Sequence, residues 1–159
     1  MQQSIGLAAA ADGTEVAYAS VGAGRPLVYI SGWLGHLQLS WEMPEERAFY
    51  ESLSEGGRLV RYDRAGCGMS GASARTPSMA FELDQLAAVV ATLGPGPFDL
   101  MGTSVGALVA VAWAAAHPET VRRLVLYGGW VRVRTSPRRV RESTFWVLSD
   151  RTGGSAQTC

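Results

Sequence analysis

The sequence predicts an α/β fold: an N-terminal antiparallel hairpin, then a parallel sheet with helices on both faces. Three observations carry this expectation. Short, continuous apolar runs such as Leu27–Ile30 have the signature of strands buried on both faces. Between such runs lie segments of helical spacing, as where Leu83, Leu86, Val89, Val90 and Leu93 share one face of Phe81–Leu93. Breaks such as Gly94-Pro95-Gly96-Pro97 punctuate the alternation. Strands alternating with helices imply parallel pairing through right-handed crossovers.

In chain order, Ser4–Ser20 predicts a hairpin around the turn signal Asp12-Gly13. Gly22 to Pro26 breaks the pattern before the strand Leu27–Ile30. Ser31–Glu45 is expected as loop and Glu46–Glu55 as a helix stopped by Gly56-Gly57. Arg58–Tyr62 is the next strand, followed by a glycine-rich loop over Asp63–Gly71. After the helix Phe81–Leu93 come a strand at Phe98–Met101, a helix at Val105–His117 and a strand at Val121–Tyr127. Arg134–Pro137 is expected as loop, Val140–Ser149 as a further helix, and the small, polar stretch 152–159 as a disordered tail.

Composition narrows the functional classes. The chain has 159 residues, 47% apolar and 18% charged, which suits one globular domain. The formal net charge is zero, so no global field draws nucleic acid or acidic lipid. All 14 basic residues are Arg, and nothing in the sequence explains the absence of Lys. Cys67 and Cys159 have neither metal-site spacing nor a disulfide framework, so a reduced, cytoplasmic setting is the default and no metal or other cofactor is implied. The N-terminus lacks the basic start of a signal peptide. The longest uncharged apolar run, Leu100–Ala116, is too short to span a membrane and contains Gly102, Ser104 and Gly106.

That run holds the motif with chemistry in it. Gly102-Thr103-Ser104-Val105-Gly106 lies between a predicted strand and a predicted apolar helix. A nucleophile at the tip of such a turn sits in strained backbone geometry, and the residues two before and two after it approach closely, so both must be small. Gly102 and Gly106 meet that demand, and Ala107 lets the helix pack closely. The turn puts the Ser104 hydroxyl at the C-terminal edge of the sheet, where open α/β sheets bind ligands. It also puts the helix N-terminus beside the reacting carbonyl, where the Val105 N–H can donate to an oxyanion.

With these pieces in order, the chain resembles the α/β-hydrolase superfamily from about residue 10 to residue 130. Ser31-Gly32-Trp33 matches the loop after the third strand that supplies an oxyanion donor, with Ser31 in place of the usual His. Asp63-Arg64-Ala65-Gly66-Cys67-Gly68-Met69-Ser70 resembles the superfamily's D-x-R-G-x-G-x-S loop, with Ala65 departing from it at the third position. Ala116 to Val121 resembles its step into the sixth strand. More narrowly, Gly32-Trp33-Leu34, Ser40-Trp41-Glu42 and Arg61-Tyr62-Asp63 resemble bacterial hydrolase domains attached to cyclase or transcription-regulator modules. The resemblance implies Ser104 as nucleophile, an oxyanion hole from the Trp33 and Val105 backbone N–H groups, and an ester or similar acyl compound as small-molecule substrate. A Ser at the elbow argues against epoxide hydrolase and dehalogenase chemistry, which use Asp there.

Other candidates carry less. Gly66-Cys67-Gly68-Met69-Ser70-Gly71 spells a dinucleotide fingerprint, but no helix opens at it, and Asp84 falls within a helix rather than at a strand end. His36 precedes the nucleophile, whereas the superfamily's His comes last. His117 sits at a helix C-terminus, where the dipole favours a partly charged imidazole. Cys67 has no base placed for it. The five arginines of Trp130–Arg141 suit a solvated loop leading into a cap helix more than a nucleic-acid site.

The resemblance also implies a domain over 1–151, with a core at 4–130 and the start of a cap region at 131–151. It would be truncated after about the sixth strand, because about 30 residues follow Tyr127 and no His follows Asp150. Two functions stay open: a truncated serine-type hydrolase, or a non-catalytic module that binds a small molecule or a partner protein. An apolar edge at Val121–Leu126 would favour self-association.

Overall fold

The computed structural model describes residues 1–129 and 149–150. A hairpin of β1 (Ser4–Ala9) and β2 (Glu15–Val21) opens the chain, with Gly13 at φ 84° in its turn. Then follow β3 (Pro26–Ile30), α1 (Leu37–Glu42), α2 (Pro44–Ser54), β4 (Arg58–Tyr62), α3 (Met79–Ala91), β5 (Phe98–Thr103), α4 (Val105–Ala116), β6 (Val121–Tyr127) and β7 (Ser149–Asp150). The sheet order is β1-β2-β4-β3-β5-β6-β7. Pairing is antiparallel from β1 through β2 to β4, parallel across β4, β3, β5 and β6, and antiparallel again at β7.

Each face of the sheet has its own core. Val28, Ile30, Val60 and Leu100 pack with Leu86 and Val89 of α3 and Val109, Ala110 and Trp113 of α4. Alternate residues point the other way: Leu27, Tyr29 and Leu59 pack with Trp41, Tyr50 and Leu53 of α1 and α2. The chain leaves β3 toward β4 on one side, while β5 lies on the other side of β3 and continues to β6. The loops after β3 and β5 therefore diverge, which makes the crevice between them the topological switch point.

Several expectations are corrected. Ser31–Glu45 is not all loop: α1 occupies Leu37–Glu42 and α2 starts at Pro44 rather than Glu46. The His36 side chain caps α1, accepting from the Leu39 N–H at 3.4 Å, and Pro44 takes the first turn of α2, where its missing N–H costs nothing. Helix α3 starts two residues earlier than expected because Ser78 caps it through the Phe81 N–H at 3.2 Å. Ser149, expected at the end of a helix, pairs in β7 with Leu124. That pairing takes part of the β6 edge expected to be open, opposite Arg123 and Leu124. The rest of that expected helix, the Trp130–Arg141 arginines and the 152–159 tail lie outside the described residues. No described helix is long and apolar enough to cross a membrane.

Candidate active site

Register builds the site. Ile30 lies opposite Gly102, and Thr103 lies opposite Tyr127, so β3, β5 and β6 end together. Ser104 follows β5 and caps α4 at φ 52° and ψ −122°. Among the described residues it is the one non-glycine with positive φ. Glycine alone takes this region readily; another residue stores about 1–3 kcal/mol of strain there. Neighbours hold it: the Ser104 N–H donates to the Tyr127 carbonyl at 2.9 Å, and its own carbonyl accepts from the Ala107 N–H at 3.0 Å.

The flanking glycines are a packing requirement. A Cβ on Gly102 would lie 2.5 Å from the Gly106 carbonyl oxygen. One on Gly106 would lie 2.3 Å from the Ile30 oxygen and 2.4 Å from the Ser31 oxygen. A helix can thus begin hard against β3 only if Gly106 has no side chain. The partly exposed Ser104 hydroxyl hydrogen-bonds to no described residue. Val105 opens α4, so its N–H has no acceptor within the helix.

The loop after β3 lies against this turn, with a Cβ on Gly32 falling 3.6 Å from the Ser104 Cβ. Trp33 and Leu34 are each 73% exposed, so this loop contributes backbone rather than buried side chains at the elbow. Ser104, the Val105 N–H and the Ser31–Trp33 loop are therefore gathered at one end of the sheet.

The glycine loop after β4 braces the site, a role the sequence did not announce. Asp63 is buried, and its Oδ2 accepts from the Leu37 N–H at 3.0 Å and the Met69 N–H at 2.9 Å, tying the two loops together. Gly68 makes room: a Cβ there would lie 2.0 Å from that oxygen. Arg64 donates to the Gly32 carbonyl, to the Ser31 carbonyl at 3.2 Å and to Glu82 at 2.8 Å. Buried Gln85 accepts from the Ala65 N–H at 2.6 Å. Asp63 and Arg64 were visible in the sequence at the head of the glycine-rich loop, but the reach of both side chains into the preceding loop was not.

A cleft of 480 Å³ opens beside the loop; Ser31 and Gly32 line it together with Tyr29, Phe49, Tyr50 and Arg61, and Ser104 is not in its wall. Buried Arg61 donates to Ser40 Oγ at 3.0 Å and Gln3 Oε1 at 2.7 Å and lies 3.6 Å from the Tyr50 ring centroid. Burial lowers the Arg61 pKa, while the Tyr50 phenol, buried and hydrogen-bonded to Glu46, is pushed up to about 12.

The lesser candidates take structural places. His36 caps α1, and His117 caps the far end of α4 with its ring 4.4 Å from that of Trp113. Asp84 lies within α3 and pairs with Arg75 at 2.5 Å. The Gly66–Gly71 loop closes on itself through the Gly66 N–H to Gly71 carbonyl bond, and α3 begins only at Met79. Among the described residues no cluster of His, Cys, Asp and Glu suits a metal ion.

A sharp strand–turn–helix connection with a strained serine, set at the switch point of a mixed sheet with helices on both faces, defines a protein of the α/β class. A family model described as alpha/beta hydrolase fold matches residues 25–158, and the chain belongs to that family. It is 31% identical over 136 residues to the pyrrolizixenacetamide deacetylase of Xenorhabdus hominickii, covering 84% of this chain and 47% of that protein. It is 34% identical over 134 residues to the pimeloyl-[acyl-carrier protein] methyl ester esterase of Nitrosomonas europaea, covering 84% and 46%. The chain thus spans about half the length of the curated relatives it matches. In fold it is similar to the thioesterase domain from the curacin biosynthetic pathway, with a TM-score of 0.73 at 24% identity over 86% of this chain and 50% of that one.

Proposed function

We propose that this chain carries the nucleophile and oxyanion hole of a serine-type hydrolase acting on an ester or similar acyl compound. The observation that carries the proposal is the backbone of Ser104, a strained non-glycine residue between two glycines that have no room for a side chain. Strain of this kind persists only where the surroundings impose it, and it concentrates at functional sites. The named relatives, a deacetylase and a methyl ester esterase, support acyl chemistry.

In this scheme Ser104 Oγ attacks the substrate's carbonyl carbon and loses its proton to a base. The carbonyl π bond opens to an oxyanion, which the Trp33 and Val105 N–H groups stabilise. Collapse of that intermediate expels the alcohol or amine and leaves an acyl-serine, which water then hydrolyses. The chain has two histidines, His36 capping α1 and His117 at the far end of α4 with its ring against Trp113, so neither is placed as this base. Without a base, a serine triad loses on the order of a million-fold in turnover, and the oxyanion hole still supplies residual catalysis.

The test is reaction of the chain with an alkyl fluorophosphonate, followed by mass spectrometry. Slow labelling of the wild type, sustained by the oxyanion hole without a base, and none of Ser104→Ala is expected. Equal labelling of both would overturn the nucleophile assignment. A chain that never labels, yet binds a small molecule or protein at this face, would favour a non-catalytic module.

A further inference from the structure

Arg64 grips the backbone of the loop that lies against Ser104. Its side chain is one-tenth exposed, and three of its nitrogens are engaged: with the Gly32 carbonyl, with the Ser31 carbonyl at 3.2 Å and with Glu82 of α3 at 2.8 Å. Two of these acceptors are consecutive carbonyls of the loop expected to hold an oxyanion. We infer that Arg64 is a positioning residue: by holding the Ser31 and Gly32 carbonyls it aims the Trp33 N–H at the oxyanion formed on Ser104. This rests on the proposal that Ser104 is the nucleophile.

The Gly32 carbonyl and the Trp33 N–H belong to one planar trans peptide and point in opposite directions. A group that fixes the oxygen therefore fixes the direction of the hydrogen. The Ser31 carbonyl fixes the Gly32 N–H in the same way, so the forked guanidinium sets two successive peptide planes. A cation on the carbonyl also polarises the peptide and makes its N–H a stronger donor.

The grip is itself held. Glu82 fixes Nε, and the bond from the Ala65 N–H to Gln85 anchors the backbone beside Arg64. The Trp33 and Leu34 side chains are exposed and so do not themselves anchor that segment. A lysine would keep the charge but lose the fork that reaches three acceptors at once.

The test measures fluorophosphonate labelling of Ser104 in the full 159-residue chain as a function of probe concentration, separating the maximal rate from the half-saturating concentration. In Arg64→Gln the maximal rate is expected to fall about 10- to 100-fold, below the cost of deleting an oxyanion donor outright, with half-saturation unchanged. Arg64→Lys should recover only part of the loss. Glu82→Gln, which keeps the arginine but frees its guanidinium, should lose a smaller part and keeps the test informative if Arg64→Gln does not fold. Arg75→Gln, which breaks a nearby exposed pair with Asp84, should label as wild type. Wild-type maximal rates in both Arg64→Gln and Glu82→Gln, or a loss confined to half-saturation, would overturn this inference and leave the nucleophile standing. A wild-type chain that does not label at Ser104 would overturn both.

Discussion

At φ 52° and ψ −122°, Ser104 occupies backbone space that a serine enters only under constraint. The constraint is the bond from its N–H to the Tyr127 carbonyl together with the start of α4 at Val105. A glycine at the same place would relax without losing either. Ser104→Gly should therefore be more stable than Ser104→Ala by about 1–2 kcal/mol, the strain relieved less the added unfolded-state entropy of glycine. Thermal melts of the two variants check this. Equal stability, or a more stable alanine variant, would mean that the turn is not strained.

At the scale of elements, the elbow is a contact between α4 and β3, and Gly106 is where they meet. Alanine there puts a Cβ within 2.4 Å of two backbone oxygens, neither of which can swing aside like a side chain. Gly106→Ala should cost about 3 kcal/mol or more, seen as a lowered denaturation midpoint, whereas Ser104→Ala should leave it nearly unchanged. This contact was legible in the sequence, because two small residues flanking a serine between a strand and a helix state a steric rule. The strands at Arg58–Tyr62 and Val121–Tyr127 were equally legible, since short runs rich in Val, Leu and Tyr between breaks and helical segments leave few alternatives. Helix α1 was not. Six residues are too few to show a period, and the signals that make it, the His36 cap and the burial of Leu37 and Trp41, depend on tertiary packing. The bracing by Asp63 and Arg64 was hidden for a similar reason: a motif shows residue types, and the reach of a side chain into another loop is set by register.

At the scale of the whole molecule, parallel pairing and two-sided helix cover put the β3 and β5 loops on either side of one crevice. The N-terminal hairpin lies at the opposite edge of the sheet from β6. At the other edge, β7 pairs antiparallel with β6 opposite Arg123 and Leu124.

The three scales meet at the proposed nucleophile and oxyanion hole, where a strained serine, a helix N-terminus and a braced loop lie together. The most direct test is a crystal structure of the chain after reaction with the fluorophosphonate. Phosphorus is expected bonded to Ser104 Oγ, with the phosphoryl oxygen about 2.7–3.1 Å from the backbone nitrogens of both Trp33 and Val105. An adduct on another residue, or a Ser104 adduct whose oxygen faces solvent away from both amides, would contradict it.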